Sequence, residues 1–214
     1  MVLKALVAAL LVGVALAGCS TSVNYVGSAS KGLFFKVPKD WEVFSNATLK
    51  RVGMAVDPAA NSQAAASGST YTQYVALAGA SGHFLAASGP DFFGPYPWAL
   101  ANVVSLGSSD QASLSLQGLN DLLFPVDTWQ QDGISVQQLG TTTLLVRGAL
   151  RGSQVAFEAQ TPSGPIAFEQ VALIDSPTNQ AWDLAVGCSV TCFKAHQAVL
   201  AGIVHSFTVT AKGT

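Results

Sequence analysis

Residues 134–186, ISVQQLGTTTLLVRGALRGSQVAFEAQTPSGPIAFEQVALIDSPTNQAWDLAV, decide the fold. Five stretches rich in β-branched, aromatic and other apolar residues follow one another with little between them. They predict strands over Ile134–Leu139, Thr143–Leu150, Gln154–Gln160, Ile166–Ile174 and Ala181–Val186. Gly152-Ser153, Pro162-Ser163-Gly164-Pro165 and Ser176-Pro177-Thr178-Asn179 carry turn-forming residues and predict the reversals. Strands joined by such short turns pair as an antiparallel meander.

Reading outward from the meander, Thr191 is placed to cap a helix from Cys192 to about Val204, with Phe193, Val199, Leu200 and Ile203 as its apolar line. Ser206-Phe207-Thr208-Val209 then gives a last short strand. Upstream, Ser109-Asp110-Gln111 caps a predicted helix to Leu123, with Leu116, Leu119, Leu122 and Leu123 at helical spacing and Pro125 ending it. Tyr71–Ala78 and Ala99–Leu106 read as strands, Thr48–Val56 as a short helix or strand, and Ala59–Thr70 as a loop of small residues. Leu33–Val37, stopped by Pro38, and Trp41–Phe44 open the folded part. Strands in a meander, with helices before and after, predict an α+β sandwich.

The first residues carry a different message. Lys4 precedes an unbroken apolar run, Ala5–Ala17, that closes on Leu16-Ala17-Gly18-Cys19. A charged start, a short apolar run and small residues at its exit are the parts of a secretory signal. The run is too short to span a bilayer, which takes about 20 apolar residues. The Leu-Ala-Gly-Cys ending resembles the lipobox of bacterial lipoproteins. The resemblance implies cleavage between Gly18 and Cys19 and attachment of diacylglycerol to the Cys19 thiol, with acyl chains such as palmitate as membrane anchor. Without lipidation the same segment would be an ordinary signal peptide releasing a soluble chain. Ser20–Lys31 is small and polar and reads as a flexible tether of about 20 Å root-mean-square span. The expected organisation is a signal peptide at 1–18, a lipidated N-terminus and tether at 19–31, and one domain at 32–214.

Charged residues make up only 10% of the chain, with a formal net charge of −2. Loss of Lys4 with the signal makes it more acidic, and a nucleic-acid-binding protein would need a basic face. Of three cysteines, Cys188 and Cys192 remain once Cys19 is lipidated. An even pair in an oxidising envelope points to a disulfide, with two buried thiols as the alternative. Three histidines show no ligand-like spacing to the pair. Gly79-Ala80-Ser81-Gly82-His83 lacks the spacing of a nucleophile elbow, so His83 reads as a loop residue. His196 reads as a packing or boundary residue of the C-terminal helix, and His205 sits where that helix meets the last strand. No phosphate-binding Gly-rich loop, calcium loop or paired-carboxylate spacing occurs. We therefore expect no cofactor, no metal and no enzyme activity. Gly89-Pro90-Asp91-Phe92-Phe93-Gly94-Pro95-Tyr96-Pro97-Trp98 is the one unusual segment. Its aromatics either fold back to plug the sandwich or form a lip of Phe92, Phe93, Tyr96 and Trp98 that meets acyl chains or a partner.

Two further segments carry a family resemblance. Gly32-Leu33-Phe34-Phe35-Lys36-Val37-Pro38-Lys39-Asp40-Trp41 resembles the opening hairpin of PsbP-like proteins, and Ile203–Val209 resembles their terminal helix running into a Ser-Phe strand. That family, with its actinomycete lipoproteins, implies a central antiparallel sheet flanked by helices and no shared catalytic residues. It implies a membrane-anchored, extracytoplasmic docking or binding module for a cell-envelope protein, or else a carrier of lipid or glycolipid in an apolar cavity.

Overall fold

The longest strands of the chain pair without a break: Ala159, Phe157, Val155 and Ser153 of one face Ile166, Phe168, Gln170 and Ala172 of the next in antiparallel register. The computed structural model describes residues 22–51, 70–78, 94–121, 124, 126–175 and 180–210. In chain order these form β1 (Val23–Ser28), β2 (Leu33–Pro38), β3 (Trp41–Phe44), α1 (Asn46–Arg51), β4 (Thr70–Ala78) and β5 (Trp98–Ser105). Then come α2 (Ser108–Ser113), α3 (Leu116–Asp121), α4 (Val126–Gln131), β6 (Val136–Arg147), β7 (Leu150–Thr161), β8 (Gly164–Asp175), β9 (Gln180–Ser189), α5 (Val190–Ser206) and β10 (Thr208–Val209).

Seven strands form one sheet in the order β3-β4-β5-β9-β8-β7-β6, and β1-β2-β10 form a second. Every pairing is antiparallel. The chain therefore has the α+β sandwich that the meander predicts. One face of the large sheet turns Trp182 and Leu184 toward the small sheet, where the Trp182 indole donates to the Lys31 carbonyl at 2.9 Å. Helix α5 packs on β9, β2 and β8, burying Leu200, Ile203 and Val204. The opposite face of the sheet carries α3 over β7 and β8.

Several expectations are corrected. Residues 23–31 are not a tether: Val23–Ser28 pairs with β2 from Val23↔Pro38 to Ser28↔Leu33, so this segment belongs to the folded domain. Local polarity hides this strand, because its stability comes from pairing with a segment far enough along to need the Ala29–Lys31 turn. Gly27 is required there, since a Cβ would lie 2.0 Å from the Leu33 carbonyl oxygen. Gly152-Ser153 is not a turn either. It lies inside β7, opposite Leu173 and Ala172, and the reversal falls at Gly148-Ala149. The two strands predicted over 134–150 are accordingly one, β6, with an irregularity between Leu139 and Thr143.

The helix predicted from 109 to 123 is two short helices, and the Ser115 hydroxyl accepts from the Gly118 N–H at 2.9 Å to start the second. Ser189, not Thr191, caps α5 by accepting the Cys192 N–H at 3.4 Å. Val199 is exposed, because the buried stripe of α5 passes through Leu200, Ile203 and Val204. The segment from Thr48 is helical as far as Arg51. The Ala59–Ser69 loop and the Ser176–Asn179 turn lie outside the described residues.

Candidate functional site

The strand alternation places one set of side chains on the α3 side of the large sheet. At one end of that face stands an aromatic cluster: Phe124 lies 4.8 Å from Phe168 and 5.8 Å from Trp98 between ring centroids, and Phe157 lies 5.4 Å from Phe168. At the other end, Val104, Leu106, Leu119, Ala172 and Ala181 form a separate apolar cluster. Between them runs a belt of buried polar residues. Gln73 of β4 faces Asn102 of β5, which faces Asp183 of β9, which faces Ala172 and then Ser153. Gln170, on the same face of β8, stands diagonally from Asp183.

The belt is only partly satisfied. Gln170 donates its amide to the Asn120 carbonyl, and the Ser153 hydroxyl donates to Asn120 Oδ1 at 2.8 Å. Gln73 Oε1, Asn102 Oδ1, Gln170 Oε1 and both carboxyl oxygens of Asp183 are buried with no hydrogen-bond partner. Each such atom costs about 1–3 kcal/mol, a large share of a domain stability of about 5–15 kcal/mol. Burial also pushes the Asp183 carboxyl well above the usual carboxylate range.

Asn120 and Ser153 carry the belt to a cavity of about 380 Å³ between α3, α4, β6 and β7. Val126, Val136, Leu144, Val155 and Phe157 share its walls with Asp121, Gln130, Gln138 and Thr142. An acyl chain there would leave these polar groups unpaired. Beside the cavity, β6 is an edge of the large sheet, and among the described residues no strand pairs with its outer side. From Val136 to Val146 it has no charged side chain, and Leu144 and Val146 are 68% and 81% exposed. Natural edges are normally blunted by charge, proline, bulges or short length; β6 has its one irregularity between Leu139 and Thr143, and Thr143–Val146 beyond it pairs regularly with β7.

Of the aromatic segment, Phe92 and Phe93 lie outside the described residues and Tyr96 is exposed. Trp98 is corrected: it is wholly buried over Gly187, where a Cβ would sit 2.6 Å from its ring, so it belongs to the core and not to a lip. Cys188 and Cys192 are joined as a disulfide between the end of β9 and the first turn of α5. Gly18, Cys19 and His83 lie outside the described residues. His196 is exposed, not a packing residue, and His205 Nδ1 meets the Ala201 carbonyl at 2.7 Å. Among the described residues, no three His, Cys, Asp or Glu side chains converge as a metal set, and no helix is long and apolar enough to cross a membrane.

The belt and the β6 edge were not singled out from sequence. Their signals are a lone polar residue inside an apolar strand, as in Leu100-Ala101-Asn102-Val103-Val104 and Ala181-Trp182-Asp183-Leu184, and the charge-free run Thr141-Thr142-Thr143-Leu144-Leu145-Val146.

The architecture is that of the PsbP-like proteins. Cyanobacterial PsbP (CyanoP) from Synechocystis sp. PCC 6803 superposes with a TM-score of 0.53 at 8% identity, over 96% of this chain and 99% of that one. Two others are more distant. LpqN, involved in cell envelope biogenesis of Mycobacterium tuberculosis, gives 0.49 at 13% identity over 88% of this chain and 91% of its own. The Ran-binding protein Mog1p of Saccharomyces cerevisiae gives 0.45 at 13% identity over 87% and 95%. No family profile and no curated protein sequence matches the chain. At these identities the likeness concerns the fold.

Proposed function

We propose that this chain is a lipid-anchored, extracytoplasmic, non-catalytic module that docks a protein of the cell envelope. The observation that carries the reading is the β6 edge: a twelve-residue strand at the border of the sheet, free of charge as far as Val146, with Leu144 and Val146 held in solvent. Such an edge accepts a further strand through its backbone, and side-chain pockets beside it supply selectivity. The mixed walls of the adjoining cavity favour this over a lipid carrier. The fold shared with CyanoP is compatible with it.

Cys19 is the anchor in this reading, and β1 brings the folded domain to within a few residues of it. Two variants test the reading. Cys19→Ala is expected to lose lipid labelling and membrane retention; unchanged membrane association contradicts the anchor. Leu144→Lys with Val146→Lys is expected to lose a partner that co-purifies from native membranes, while membrane retention persists. Undiminished co-purification contradicts docking at β6.

A further inference from the structure

We propose that the buried belt is a binding site for a single positive charge, an alkali ion or a primary ammonium group, held by the Asp183 carboxylate and the amide oxygens of Gln170, Asn102 and Gln73. This site is separate from the β6 edge and does not rest on the docking reading.

The unpartnered atoms are of one chemical kind. The five in the belt are all oxygens, and they lie on four neighbouring strands of one face, β4, β5, β9 and β8. The Gln170 amide cannot simply be turned, because its Nε2 is engaged by the Asn120 carbonyl; its oxygen is left as an acceptor without a donor. Asn102 stands directly across from Asp183, and Gln73 directly across from Asn102. With Asp183 ionised, a ligand that satisfies this set must bring donors only, or be a cation.

Charge fixes the valence. Asp183 is the one ionisable member of the belt; on the same face of the sheet, Glu42 and Arg151 stand outside it and are exposed to solvent. One positive charge neutralises the carboxylate, whereas a divalent ion leaves an uncompensated charge in the interior.

The neighbours of Asp183 along its strand, Ala181 and Ala185, and across on β8, Ala172, are small, and Asn102 stands opposite on β5. Gln73 keeps 6% of its surface exposed at one end of the belt, and Asn120 and Ser153 reach the cavity at the other.

The test is thermal and urea unfolding of the full chain in sodium, potassium or methylammonium chloride, against choline chloride at equal ionic strength. Choline is bulky and has no N–H to offer. The unfolding constant of the wild type is expected to fall about tenfold for each tenfold rise in the recognised cation above its dissociation constant. Asp183→Asn, of the same size and without the charge, is expected to unfold identically in every salt. Gln170→Met is expected to keep the response but shift it to at least tenfold higher cation concentration. A response to sodium or potassium alone assigns an inorganic ion, and a response to methylammonium alone assigns an ammonium ligand. A wild type indifferent to the salt, or an Asp183→Asn chain that responds like the wild type, overturns the proposal.

Discussion

Asn102 and Asp183 face each other across β5 and β9, both buried, and neither the Asn102 side-chain oxygen nor either Asp183 oxygen has a hydrogen-bond partner. With Gln73, Gln170 and Ser153 they form a buried polar belt between two apolar clusters. An interior built only for stability would place apolar residues there.

That pair predicts an unusual pH dependence. Burial raises the Asp183 carboxyl above its unfolded value, so the folded chain holds a proton that the unfolded chain releases. Stability is then greatest below the ordinary aspartate range and falls as pH rises from there toward the raised folded value. In choline chloride the slope is expected to reach about −1.4 kcal/mol per pH unit. Asp183→Asn removes this contribution, so the variant should gain on the wild type above the aspartate range and lose that gain below it. Parallel curves of unfolding free energy against pH would refute this.

Gly152 is set by the approach of β8 and not by a turn. A Cβ at this position lies 1.8 Å from the Ala172 carbonyl oxygen, in a ladder fixed on both sides. Gly152→Ala is expected to cost about 3 kcal/mol or more, read as the shift in urea midpoint. Gly148→Ala, at a turn with φ of 63° and nothing within 4 Å of its Cβ, carries only local backbone strain and should cost about 1 kcal/mol.

Trp98 and Tyr96 separate core from surface within one short segment. Trp98→Ala opens a cavity under Phe124 and is expected to cost about 3–5 kcal/mol. Tyr96→Ala, at a side chain 45% exposed, should stay within about 0.5 kcal/mol of the wild type. Chemical denaturation of the two variants checks the contrast.

The Cys188–Cys192 bond closes a loop with a sequence separation of only 4. On the chain-entropy account so small a loop contributes about 2 kcal/mol. Dithiothreitol should therefore lower the unfolding free energy of the wild type by that amount, read from denaturant titration, and leave a Cys188→Ala, Cys192→Ala chain unmoved. Intact-mass analysis before reduction should find no alkylatable thiol at either position.

Much of the fold is legible because the strands from Gln154 to Val186 carry their apolar pattern locally and Pro162-Ser163 marks a reversal. The errors share a cause. Val23–Ser28 and Gly152-Ser153 look like spacer and turn because their residues are small or polar, and only long-range pairing makes them strands. Trp98 shares a proline- and glycine-rich neighbourhood with Tyr96, yet the register against Gly187 turns it inward. The belt crosses five strands and needs β4 and β5 to lie beside the β9-β8-β7 meander far along the chain, which follows from topology alone.

The most direct measurement of the docking claim is site-specific photo-crosslinking in native membranes, with the probe at Leu144 on the β6 edge and a control probe at His196, exposed on α5. The account predicts one discrete protein adduct from position 144, absent from position 196. Lipid-only adducts at 144, or the same adducts from both positions, would contradict it.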